Sequence, residues 1–163
     1  MKKQIILMLA ALLAACTAAR AEIVRHPIPN STFPIAQSVE VRGNVTTYYI
    51  SGQVPPVANK DADPASLQAY GDTKIQSVGV LNRIKTILEG LGLTMGDVVK
   101  MQVFLVHSGT APMDFKGFME GYTQFFGTTA QPRLPVRSAM QVAALANPAY
   151  LVEIEVMAVR PAK

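Results

Sequence analysis

The sequence predicts an α+β domain, a mainly antiparallel sheet with two helices on one face, in the order β-β-β-α-β-α-β-β. Three observations lead there. Short runs dense in β-branched and aromatic residues alternate with turn residues. Two longer segments repeat apolar residues at three- and four-residue steps. The final run sorts into one wholly apolar side, Val152, Ile154, Val156 and Ala158, and one mixed side carrying Glu153 and Glu155. The apolar side is expected to meet both helices, leaving the glutamates facing away from the core.

Taken in order, residues 23–29 read as an edge strand limited by Pro27 and Pro29. Residues 38–42 and 45–51 flank Gly43-Asn44 and read as a hairpin, the second strand rich in Thr and Tyr. Residues 52–63 form a loop of Pro, Asn and Asp. Leu67, Tyr70, Lys74, Val78, Leu81, Ile84, Leu88 and Leu91 then mark one long helix, its stripe interrupted by Lys74 alone, with Pro64 suited to its first turn. Residues 98–106 are nearly continuous apolar, as in a central strand. Residues 112–126 predict the second helix, and residues 134–145 and 151–159 the last two strands. The mixed side of the last strand, Leu151, Met157 and Val159 beside two acids, is too apolar for open water and predicts subunit contact.

The N-terminus reads differently. Met1-Lys2-Lys3 is positive, an apolar stretch follows to Ala15, and Ala19-Arg20-Ala21 has the small residues a signal peptidase reads. Residues 1–21 are therefore expected to be a signal peptide and residues 22–163 a single domain, acting in the periplasm or as a secreted protein. Leu13-Ala14-Ala15-Cys16 offers a competing cut that would leave Cys16 acylated, anchoring a lipoprotein to a membrane surface. Removing residues 1–21 takes Lys2, Lys3 and Arg20 but no acid. Fifteen basic residues become twelve against eleven acids, and the formal charge falls from +4 to +1. A nearly neutral chain without basic runs argues against nucleic acid as partner. Cys16 is the only cysteine, and His26 and His107 are far apart, so no metal-site spacing exists.

The chemistry concentrates at Arg137, in Pro135-Val136-Arg137-Ser138-Ala139-Met140. A guanidinium among apolar residues is costly unless an anion meets it. Two readings stand: a structural ion pair with Glu153 or Glu155 on a neighbouring strand, or a pocket in which Arg137 holds a substrate carboxylate through its planar fork. Ser51 has no nearby His or Asp pattern and reads as a hydrogen-bonding residue rather than a nucleophile.

Several stretches carry a family resemblance: Ile50-Ser51-Gly52-Gln53-Val54-Pro55, Gly92-Leu93 followed by Asp97-Val98-Val99-Lys100, Val103-Phe104-Leu105, residues 122–126, Pro135-Val136-Arg137-Ser138, and Glu153-Ile154-Glu155-Val156-Met157-Ala158-Val159. Together, across about residues 33–160, they resemble the Rid family (YjgF/YER057c/UK114) of RidA-like 2-imino acid deaminases. The resemblance implies a chorismate-mutase-like fold, a homotrimer with sites in the clefts between subunits, and hydrolysis of 2-imino acids or their enamine tautomers to 2-keto acids and ammonia without a metal or organic cofactor. It implies that Arg137 binds the substrate carboxylate, that Ser51 and Gly52 line the same pocket, that Ala139 contributes backbone groups, and that Glu153 orients or activates the attacking water, with Glu155 on the same face as the alternative.

Two positions depart from the family pattern. Its Gly-Pro-Tyr-Ser-Gln stretch appears as Phe33-Pro34-Ile35-Ala36-Gln37, so Ile35 replaces a tyrosine, and Met119 replaces a common asparagine. Both changes remove polar groups. They imply either a bulkier, more apolar substrate or a non-catalytic small-carboxylate-binding module. Ribonuclease activity, known from names given to some relatives, fits no residue set in this chain.

Overall fold

A computed structural model describes residues 20–107 and 112–162. Residues 1–19 of the segment expected to be a leader, Cys16 included, and the Ser108-Gly109 pair after His107 lie outside the described residues. Among the described residues, no helix is long and apolar enough to cross a membrane.

The elements are β1 (Glu22–Pro27), β2 (Ala36–Arg42), β3 (Val45–Gln53), α1 (Leu67–Tyr70), α2 (Thr73–Gly90), a 3-10 turn (Met95–Asp97), β4 (Val98–Leu105), α3 (Phe115–Tyr122), β5 (Val136–Gln141) and β6 (Val152–Pro161). Four strands form one sheet in the order β3-β6-β4-β5, antiparallel except for β4 with β5. The α+β class holds, as does the predicted element order apart from a division of the first helix.

The expected hairpin does not. β2 pairs with β1 in a separate two-stranded sheet, while β3 pairs with β6, Val45 opposite Pro161 and Ile50 opposite Val156. Gly43, at φ 76°, does turn the chain between them. Pairing is decided elsewhere: Ile50 is buried and Tyr48 packs against the core, and that burial requires β6 as neighbour. The long helix is also divided. Gly71 takes φ 79°, and the Asp72 carboxylate accepts a hydrogen bond from the Ile75 amide at 2.8 Å, capping a new helix start. Leu67 and Leu91, assigned to the buried stripe by spacing, are exposed.

The core lies between the sheet and the α2–α3 layer. Val80, Leu81, Ile84 and Leu88 of α2 and Phe118 and Tyr122 of α3 meet Met101, Val103 and Leu105 of β4 and Val152, Ile154, Val156 and Ala158 of β6. Each fully buried large side chain here contributes about 1.5–3 kcal/mol. α2 also buries three polar residues, Thr73, Gln76 and Ser77. The Gln76 amide donates to the Ala149 carbonyl at 2.9 Å and accepts from the Leu151 amide at 2.8 Å, tying the helix to the start of β6. Ser77 faces Gly121, where an added Cβ would stand 2.7 Å from the Ser77 Cβ. The absence of that carbon lets the helices approach. Lys74, the apparent flaw in the stripe, bridges the same pair through Glu120 at 3.0 Å.

The β1–β2 sheet is fastened beside β5. The Arg25 guanidinium donates to the carbonyls of Leu134, Gly96 and Val98 at 3.1, 2.9 and 3.2 Å. The Ala36 amide donates to the Pro135 carbonyl at 2.9 Å, and the Tyr122 hydroxyl to the Pro34 carbonyl at 2.8 Å. These bonds hold residues 33–36 against the strand that begins one residue before Arg137.

Candidate functional site

Arg137 is the second residue of β5 and lies level with Met101 of β4. Met101 is fully buried on the helix-covered side, so its parallel partner enters the same space. There the guanidinium carbon lies 4.3 Å from the Tyr122 ring centroid, 5.0 Å from Phe118, 5.5 Å from Phe33 and 5.8 Å from Phe115. Each such contact is worth ~0.5–2 kcal/mol to a cation. They do not replace hydrogen bonds. The Nη1 atom is buried without a hydrogen-bond partner, and among the described residues Arg137 has no ion pair.

Burial lowers the Arg137 pKa, opposed by the Tyr122 phenol, but a guanidinium starts high enough to remain charged. Burial pushes the Tyr122 phenol upward, against the pull of Arg137, so it stays a neutral donor to Pro34. The result is a charged fork with an unmet donor, lining a cleft of about 480 Å³ with Ile35 and Gln37 of the β1–β2 side and Lys100 and Ser138 of the sheet. Met119 is partly buried and packs with Phe115 against the core.

Glu153 stands elsewhere. It lies level with Phe104, and Glu155 with Gln102, on the face turned away from the helices. β4 separates β6 from β5, so neither acid meets Arg137 within the chain. The ion-pair reading of Arg137 is therefore not realised. Glu153 instead covers Gly52: a Cβ at residue 52 would overlap the carboxylate and stand 2.9 Å from its Cδ. The register between β3 and β6 slips between Ile50 and Gln53, and Gly52, inside that slip, lies beside Glu153. Ser51 and Glu155 also line a second cleft, of about 380 Å³, with Tyr49, Lys100 and Gln102.

The five site residues expected from the sequence thus fall into two groups. Arg137 and Ala139 share the helix face of β5, Ala139 level with Val103 and packed against the core. Ser51, Gly52 and Glu153 share the open face. Of the residues expected to make the glutamate face apolar and open, Leu151 and Val159 are buried at 5% and 2% and Met157 is partly buried; the exposed apolar surface there comes instead from Tyr49 and Met140. His26 approaches Glu40 at 3.7 Å on the surface, and no cluster of three metal-ligating side chains occurs among the described residues.

Phe33, Phe115, Phe118 and Tyr122 escaped the sequence reading as a group around Arg137. The i, i+3, i+4 and i+7 spacing of Phe115, Phe118, Met119 and Tyr122 put them on one helix face, but nothing local aims that face at residue 137. Phe33 reaches it only because the β1–β2 connection folds over β5.

Residues 28–160 match the family described as Endoribonuclease L-PSP. TdcF of Escherichia coli (strain K12) is 36% identical over 134 residues, covering 82% of this chain and 92% of that protein. A 2-iminobutanoate/2-iminopropanoate deaminase of Salmonella typhimurium is 33% identical over 138 residues, 85% of this chain and 96% of the relative. A crystal structure of E. coli TdcF with bound serine superposes with a TM-score of 0.54 at 32% identity, covering 85% of this chain and 97% of that one.

Proposed function

Because this chain belongs to the Rid (YjgF/UK114) family, which the Endoribonuclease L-PSP description covers, we propose that it is a deaminase hydrolysing 2-imino acids, or their enamine tautomers, to 2-keto acids and ammonia. The observation that carries this reading is the buried Arg137 Nη1 with no partner of its own. A buried donor left unmet costs about 1–3 kcal/mol, more for a charged group, and a substrate carboxylate supplies the missing acceptor.

An imine carbon is already electrophilic, and more so once its nitrogen is protonated. Water adds through its oxygen to that carbon, forming a C–O bond. Glu153 accepts the proton that water releases and returns it to the nitrogen of the carbinolamine. The C–N bond then breaks with its electron pair leaving on ammonia, while the hydroxyl oxygen gives up its proton to Glu153 and forms the C=O bond of the keto acid. Ser51 and Gly52 position the glutamate and hydrogen-bond the reacting groups, while Ala139 extends the carboxylate side of the pocket. Holding the substrate by two guanidinium bonds supplies orientation.

Arg137 and Glu153 act together when copies of the chain pack open face to neighbouring edge. The exposed Tyr49 and Met140 and the mixed face of β6 support that assembly. A homotrimer gives three equivalent sites, each with Arg137 of one copy and Glu153 of the next. The leader reading of residues 1–21 places the action in the periplasm or outside the cell, with acylation at Cys16 as the anchored alternative.

The test uses residues 22–163 with imino acids generated in situ by an amino-acid oxidase. Accelerated keto-acid and ammonia release that disappears in Arg137→Ala is the expected result. No acceleration, with wild type equal to Arg137→Ala, ends the enzyme reading. The separation of Arg137 from Glu153 within one chain favours one second reading, a non-catalytic module for small carboxylates. Its signature is Arg137-dependent calorimetric binding of 2-keto acids with no turnover of any imino acid.

A further inference from the structure

Two of the four rings around Arg137 are closed and two are open. Phe118 and Tyr122 are fully buried behind the guanidinium, whereas Phe33 is 41% exposed and Phe115 only partly buried. A carboxylate seated on the fork brings its α-carbon and side chain to the open rings, because those rings stand 5.5 and 5.8 Å from the guanidinium carbon. Ile28 and Ile35 give the cleft that Arg137 lines its apolar side chains on the β1–β2 side, and Phe33 lies two residues before Ile35 in the same connection.

The polar groups available there are poor partners for a substrate side chain. The Tyr122 hydroxyl is already donated to Pro34. Gln37, Lys100 and Ser138, on the cleft's other rim, are exposed and hydrated, so exchanging water for a ligand group gains little. A polar side chain laid on phenyl carbon would lose water without replacing it. An apolar one would cover ring surface that water now meets. Phe33 adds nothing to the buried core, yet its turn is fixed locally: its amide donates to the Ser31 hydroxyl at 3.1 Å, and its carbonyl accepts from the Ile35 amide at 2.8 Å.

Resting on the deaminase reading, we infer that this site selects 2-imino acids bearing an apolar, branched or aromatic side chain, and that Phe33 is the residue that sets the preference. Phe33 contacts the substrate side chain; the carboxylate is left to Arg137.

Two readouts test it. The first is kcat/KM for imino acids generated from leucine, phenylalanine, alanine and serine, using wild type, Phe33→Gly and Phe33→Leu. The second is calorimetric affinity for the stable keto acids 4-methyl-2-oxopentanoate and pyruvate. Wild type is expected to prefer the larger apolar compounds by about tenfold or more in each readout. Phe33→Gly should bring the ratio toward one, chiefly through KM, and Phe33→Leu should retain most of it. If no imino acid is turned over but the keto-acid preference appears and depends on Phe33, the deaminase reading fails while the selectivity stands. Turnover without preference, binding without preference, no binding at all, or a ratio unmoved by Phe33→Gly overturns the inference.

Discussion

Arg137 and Glu153 project from opposite faces of one four-stranded sheet, the first level with Met101 and the second with Phe104. β4 lies between their strands. A cation with an unmet donor and the acid proposed to handle a proton are thus kept apart by the fold that carries both. This arrangement makes the proposal of a site shared between copies measurable.

Arg137→Ala and Glu153→Gln, each inactive alone, are expected to complement when mixed during refolding. In a three-fold ring with random assortment, about a quarter of the clefts pair an intact Arg137 with an intact Glu153. Activity recovering to about that fraction of wild type supports a shared site. No recovery, with mixed assemblies demonstrated by mass spectrometry, shows the site to be confined to one chain.

Arg137→Met should separate stability from activity. It removes a buried cation whose Nη1 is unmatched and keeps an unbranched apolar stem among four rings. The variant is expected to melt at or above the wild-type temperature, a gain of up to about 1 kcal/mol, while carboxylate binding falls about a hundredfold or more. Calorimetric melting alongside keto-acid titration reads both. A large loss of stability would restore a structural role to the residue.

Gly52→Ala places a methyl group against the Glu153 carboxylate, 2.9 Å from its Cδ. The side chain has to move, and a displacement of this kind at a reacting group costs on the order of a hundredfold. The expected signature is a fall in kcat with unchanged keto-acid affinity, since Arg137 is on the other face. A fall in affinity alone would remove Glu153 from the proton-handling role.

Gln76→Leu should cost about 2–3 kcal/mol in chemical denaturation. It leaves the Ala149 carbonyl and the Leu151 amide, now satisfied at 2.9 and 2.8 Å, buried without that partner. A cost under half a kcal/mol would show that the chain relaxes to satisfy them by other means.

The sequence made periodic burial legible and long-range pairing much less so. The alternation Val152, Glu153, Ile154, Glu155, Val156 announced both faces of β6, and the core forms on the side expected. Arg137 announced itself as a charge in an apolar run. Gly43-Asn44 misled because a tight-turn dipeptide reports a change of direction, not which strands pair; β3's partner lies more than a hundred residues away. Gly71-Asp72 divided a helix that side-chain spacing joined, because apolar periodicity does not register a left-handed backbone angle followed by a cap. Gln76 and Ser77 were invisible for the opposite reason: polar residues look exposed until a specific carbonyl or glycine faces them. The ring of aromatics about Arg137 combines a strand, a helix and a connection, and no window along the chain contains all three.

One consequence follows from where Phe33 and Ile35 sit. They belong to the connection of a two-stranded unit pinned by Arg25 to three main-chain oxygens, whereas Arg137 is rooted in the large sheet. Those oxygens are present whatever side chains surround them. Successive substitutions at the connection could therefore re-letter what the cleft accepts while the anchor beneath stays untouched, giving the scaffold a cheap route to new diets.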